Sequence, residues 1–176
     1  MKRKALLIIT GCAEKRFETL QARDQLPFGA RGRFGEYSLA DAMRLKAMLS
    51  LIEPGPSDRV ALGVDLACLL VDRAAGKAAE TYGPEPIDLV GHGAAVWFGA
   101  VEFAGADRDG QIERWVGWYA GPLEGLGSFI AAQLADPMSE ALRGAHAVRV
   151  LALVNATAAA MDVITQAEEL GIADAE

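Results

Sequence analysis

Residues Thr10 to Pro27 read TGCAEKRFETLQARDQLP. Gly11 suits a tight turn, because a residue without a Cβ enters left-handed backbone at no steric cost. A polar, basic helix is predicted from Ala13 to Arg23, and Leu26-Pro27 stops it. Phe17 and Leu20 fall on one face of that helix with Ala13; Lys15, Glu18, Thr19 and Ala22 fall on the other. Its start is poorly capped, since Cys12 and Ala13 offer no side-chain oxygen, and Glu14 compensates in part by placing negative charge in the first turn. Upstream, Lys2 to Thr10 predicts a short helix with Leu6, Leu7 and Ile9 as core candidates. A buried strand fits those residues by pattern alone, and the GCAEK turn favours the helix. The stretch therefore reads as a helix-turn-helix.

Downstream, Pro27 to Gly35 is PFGARGRFG. Its three glycines and two arginines suit a small hairpin, or wing, whose tip approaches a phosphate backbone. Ser38 is a good N-cap for a third helix running to about Glu53, with Leu45, Met48, Leu49 and Ile52 at helical spacing. Pro54-Gly55-Pro56 ends it and divides the chain into a head, residues 1–53, and a body, residues 57–176. Charge follows the same division. Residues 1–50 hold ten Lys and Arg against five Asp and Glu, a net of +5, whereas the rest holds seven against nineteen, a net of −12. A basic head on an acidic body suggests a face for polyanions that the overall net charge of −7 hides.

The body reads as α+β. Ser57 or Asp58 caps a helix through Val60, Val64, Cys68 and Val71, and Gly83-Pro84-Glu85-Pro86 breaks the pattern. Ile87 to Val90 is a short strand candidate. Ala94 to Phe103 and Gln111 to Tyr119 form a β-hairpin across Gly105–Gly110. Gly127 to Leu134 is helical up to Asp136-Pro137, Val148 to Val154 is a buried strand, and Asn155 or Thr157 caps a last helix that Gly171 closes. The predicted architecture is an N-terminal helix-turn-helix with a wing, followed by an α+β body with a β-hairpin.

Composition excludes several classes. Just over half the chain is apolar, enough for a sizeable core. No apolar run approaches the roughly 18–20 residues of a membrane span. The apolar run in MKRKALLIIT covers only Ala5 to Ile9, too short for a secretory signal, so a cytoplasmic location and no membrane partner are expected. Cys12, Cys68, His92 and His146 lack metal-ligand spacing; core packing is the expected role of the cysteines, and neither a metal nor a cofactor is expected. There is no Walker A motif, no GxGxxG and no GxSxG, and Asp107-Arg108-Asp109-Gly110 reads as a hairpin turn rather than a calcium loop. No catalytic residue is expected. His92, between Gly91 and Gly93, has no acid or nucleophile at a recognisable spacing.

The N-terminal residues resemble the MerR family of winged helix-turn-helix transcription regulators, whose usual pattern is close to TGVSxRTLRYYExxGLLP, then a glycine-containing wing and YSxEDLxRLxxI. Thr10-Gly11 and Leu26-Pro27 fall at the same spacing with no gap, Lys15 stands at a basic position, and Phe17 stands at a leucine. Tyr37-Ser38, Asp41 and Arg44-Leu45 match the helix after the wing. The resemblance covers about residues 5 to 53. Thr19 and Leu20 replace the paired tyrosines, Gly35 replaces an arginine, and the long dimerising coiled coil and the metal-binding cysteines are missing. The resemblance implies a head like that of small phage or prophage regulators and excisionases, with double-stranded DNA as partner and Tyr37 at the wing exit among the contacting residues.

The residue chemistry fits that expectation. Lys15, Arg16, Thr19 and Arg23 are placed to face a major groove, where Lys or Arg bonds guanine and Thr meets a thymine methyl or a phosphate. Arg31 and Arg33 suit phosphates or a minor groove. Trp97, Trp115, Trp118 and Tyr119 suit a small core, a ligand pocket or a homodimer interface. The expected function is sequence-specific DNA binding in transcription regulation. The alternatives are an adaptor with a degenerate helix-turn-helix, and a small enzyme with its site around Asn155, His92 and the tryptophans.

Overall fold

The computed structural model describes residues 1–29, 31, 35–53, 61–106, 111–135 and 147–172. Helix α1, Arg3–Thr10, ends at Gly11, whose φ of 70° closes the helix in the left-handed region. The short linker Gly11-Cys12-Ala13 leads into α2, Glu14–Ala22, so the helical reading of Lys2 to Thr10 holds and the strand reading does not. The start of α2 carries no side-chain cap. Helix α2 ends near Asp24, the one non-glycine among the described residues with positive φ, at 54°. Asp tolerates that region better than most residues because its short side chain bonds locally. Helix α3, Leu39–Ile52, opens with a full capping box: Ser38 Oγ accepts from Asp41 N at 3.0 Å, and Ser38 N donates to Asp41 Oδ2 at 2.9 Å.

Helix α4, Val64–Thr81, and the short α5, Pro86–Gly91, follow. The strand expected at Ile87–Val90 is thus a helix: Pro86 takes the first helical position, and Glu85 with Asp88 forms a second capping box. Strands β1, Val96–Ala106, and β2, Ile112–Pro122, make the expected hairpin, and β3, Ala147–Asn155, pairs antiparallel to β1 on its other side, giving the order β2-β1-β3. A 3-10 turn, Leu123–Gly125, leads into α6, Leu126–Ala135. Asn155 caps the final helix, α7, Ala156–Glu169, by accepting from Ala158 N at 2.9 Å, and Gly171, φ 65°, follows its end. The fold is α+β.

The two sheet faces differ. Val96, Phe98 and Ala100 of β1, with Val116, Trp118 and Ala120 of β2 and Ala152 and Val154 of β3, turn towards the helices α3, α4 and α7. Val101 and Phe103 point to the opposite face and are buried there. Gly117 belongs to that second face because a Cβ there would lie 2.9 Å from Phe129 Cζ and 3.0 Å from Phe103 Cε2. Strand β3 does not alternate simply. Ala100 pairs with Ala152 but Val101 pairs with Val150, so Leu151 is extra and forms a bulge. The expected buried strand Val148–Val154 is correspondingly buried only at Val154, and Val148 and Val150 are exposed.

The head and body share one core. Leu6, Ile9, Phe17, Leu20 and Met48 belong to the same buried cluster as Leu70, Phe98 and Val163. Helix α3 packs on α4 and α7, and α1 rests on α3 and α7. The Pro54-Gly55-Pro56 boundary, the Ser57 or Asp58 cap, most of the hairpin turn (107–110), Asp136-Pro137 and His146 lie outside the described residues. No helix among the described residues is long and apolar enough to cross a membrane.

Candidate nucleic-acid interface

Helix α2 is held on three sides, which fixes the face it leaves outward. Phe17, fully buried, meets Tyr37 edge-on at 6.0 Å, and the Arg3 guanidinium lies 5.1 Å from its ring centroid. Arg3 also reaches across from α1 to Glu18 at 3.1 Å and Glu14 at 3.7 Å. Arg16 bonds Glu53 at the end of α3 at 2.8 Å. Beyond the helix, Gln25 Nε2 donates to Asp65 Oδ1 of α4 at 2.5 Å. The remaining side carries Lys15 and Thr19, with Arg23 at the C-cap, all exposed and spaced i, i+4, i+8, which is one oblique row. Among the described residues no carboxylate pairs with Lys15 or Arg23. Thr19 Oγ1 donates to Lys15 O at 2.9 Å.

Not every expected contact residue joins this row. Arg16 is committed to Glu53. Arg31 is exposed but already engaged within the chain: its guanidinium sits 2.7 Å from Asp41 Oδ2, donates to Glu36 O at 2.7 Å and lies 5.9 Å from the Tyr37 ring centroid. Tyr37 is buried between Phe17 and Phe28, and its backbone N–H donates to Met1 O at 2.8 Å. Arg33 lies outside the described residues, and the described residues of the expected wing contain no strand. Sequence reasoning missed Lys4, an exposed cation on α1 with no carboxylate partner among the described residues, beside an open groove of about 550 Å3 that Leu7, Ile8 and Cys12 help line. It also missed the use Arg31 makes of Asp41, although the S-x-x-D spacing of Ser38 and Asp41 signals that a carboxylate is held at that helix start.

The electrostatics follow the packing. Burial pushes the Cys12 thiol above its ordinary value, with nearby Arg16 opposing in part. The hydrogen bond from Lys2 holds the Glu36 carboxyl below the usual range.

The body residues divide between the two sheet faces. Trp118 joins the helical side, and Lys77 Nζ donates to its carbonyl at 2.9 Å. Trp97, Trp115 and Tyr119 share the other face; Trp115 stacks on Phe103 at 5.2 Å, and Tyr119 OH donates to Pro122 O. The His92 ring lies tilted against Tyr82, with ring centroids 4.6 Å apart. Trp97 and Asn155 are cross-strand partners, and the Asn155 side chain caps α7. No group of three His, Cys, Asp or Glu among the described residues is arranged to hold a metal. Comparison with protein-family models, curated proteins and solved structures gives no match, so the functional reading rests on this chain's own residues.

Proposed function

We propose that this protein is a cytoplasmic, sequence-specific DNA-binding regulator of transcription that acts as a homodimer and reads double-stranded DNA with α2. One observation carries the reading: a left-handed glycine turn sets α2 against α1 with Phe17 and Leu20 buried and the row Lys15, Thr19, Arg23 outward without carboxylate partners among the described residues. Lys15 and Arg23 bracket the row and supply the cations that phosphates or guanine edges require. Thr19, its hydroxyl engaged with Lys15 O, carries a methyl suited to a thymine. The MerR resemblance adds support at Asp24, which takes left-handed backbone at the position where the family pattern has glycine. The role is one of binding rather than catalysis, with no cofactor.

Dimerisation follows from what one row can read, since a single helix reaches few base pairs and two-fold pairing of half-sites is the usual remedy. The second sheet face supports it: Val148 and Val150 are exposed there on the same face as half-buried Trp97 and Trp115.

The test is duplex selection from a random pool with the full-length protein, followed by salt titration. The full chain is required because residues 1–53 share their core with the rest. Two phosphate contacts per copy give a slope of log K against log salt of about −2 for one copy and about −4 for two. No enrichment, or binding that is flat with salt, defeats the reading.

A further inference from the structure

The loop after α2 carries its own brace. We infer that Arg31 is a positioning residue for α2 rather than a phosphate ligand, a role that rests on the reading of α2 as the DNA-contacting helix. Asp41 is a carboxylate with its side chain 6% exposed, and both its partners are settled: Ser38 N at 2.9 Å and Arg31 at 2.7 Å. The same guanidinium donates to Glu36 O at 2.7 Å, and the Arg31 carbonyl accepts from Gln21 Nε2 of α2 at 3.4 Å. Residue 37, next to Glu36, packs its ring on Phe17 of α2. Arg31 thus joins the inner side of α2, the exit of the loop and the start of α3. A planar, forked cation serves two acceptors at fixed angles where an ammonium cannot. Drawing Arg31 out to a phosphate would leave the shielded Asp41 carboxylate without its counter-charge, which is costly.

The latch and a phosphate contact make opposite forecasts for three full-length variants, Arg31→Ala, Arg31→Lys and Asp41→Asn, measured on the selected duplex across a salt series. Under the latch, all three weaken binding by about tenfold to a hundredfold, the range of a lost charge-assisted hydrogen bond. Their salt slopes stay at the wild-type value, Lys does not rescue, and amide exchange at Glu36, Tyr37 and Ser38 quickens. The loss in Asp41→Asn is diagnostic, because removing a negative charge near DNA would by itself tighten binding. Thermal melts confirm that each variant is folded. The latch is overturned if Arg31→Ala lowers the slope by about one per copy, Arg31→Lys restores it, and Asp41→Asn binds as well as wild type or better. If the wild-type protein binds no duplex, the DNA reading falls separately, and exchange rates unchanged in Arg31→Lys and Asp41→Asn then overturn the latch itself.

Discussion

Helices α2 and α6 are nearly equal in length, nine and ten residues, and opposite in character. Helix α2 carries four charged side chains and sends both its large apolar residues, Phe17 and Leu20, fully into the core. Helix α6, LGSFIAAQLA, carries no charge and buries no residue completely. A polar helix with a fully buried seam is anchored and leaves a face that water or a polyanion satisfies. An apolar helix lying half-buried leaves apolar surface that in water favours a cover. In the function proposed above the two helices serve different partners: nucleic acid for the first, a second copy for the second.

The largest expected effect breaks the anchoring side of this contrast. Phe17→Ala removes a fully buried ring and should cost about 3–5 kcal/mol, whereas Phe129→Ala on α6, only half-buried, should cost about 1 kcal/mol or less. Urea denaturation of both proteins measures this, and equal costs would show that α6 is anchored as firmly as α2. Next comes the charged row. Lys15→Ala with Arg23→Ala should weaken binding to every duplex and lower the salt slope by about two per copy without moving the melting temperature. Thr19→Ala should keep the slope and alter sequence preference. A double variant with an unchanged slope would place the interface elsewhere.

A smaller effect sharpens the apolar side. Val150 is 47% exposed, so Val150→Glu should leave the fold intact while shifting sedimentation from dimer towards monomer at micromolar concentration. A wild-type protein that sediments as a monomer both with and without DNA would remove the second copy from the model. The smallest effect is with pH. Burial raises the Cys12 and Cys68 thiols above 9.0 and the Tyr119 hydroxyl above 10.0. Each neutral form is favoured by folding, so this contribution is complete below about 9 and declines as pH rises through the folded values. Denaturation midpoints should fall over the interval above about pH 9, and replacing Cys12 by Ala should reduce that fall. Midpoints that rise over this interval would mean that the thiols ionise more readily in the folded chain.

Much of the local structure was legible. The glycine turn at Gly11, the Ser38 cap, the hairpin and the Asn155 cap each rest on a few adjacent residues and appear where the pattern places them. Phe17 and Leu20 were legible as the inner face of α2 for the same reason. The outward face of α2 was legible in part. Lys15, Thr19 and Arg23 are exposed as helical spacing requires, but Arg16 and Arg31 are occupied by Glu53 and by Asp41, which lie 37 and 10 residues away in the chain. Counting basic residues in a segment says nothing of the carboxylates that packing brings to them. Ile87–Val90 was misread because a short apolar run serves helix and strand alike, and Pro86 with its capping box decided for helix.

By itself the sequence determined where chain direction changes and which side of α2 and of α3 is apolar, since both depend on neighbours within one or two turns. Tertiary structure alone decided three things. It merged the expected head and body into one core, because α3 has apolar residues enough to pack on α1, α4 and α7 together. It turned half of β3 over at Leu151, an extra residue set only by pairing with β1, and so put Val148 and Val150 on the opposite face from Val154. And it decided which cations remain outward, because a salt bridge depends on distance in space, and that distance exists only once the helices are packed.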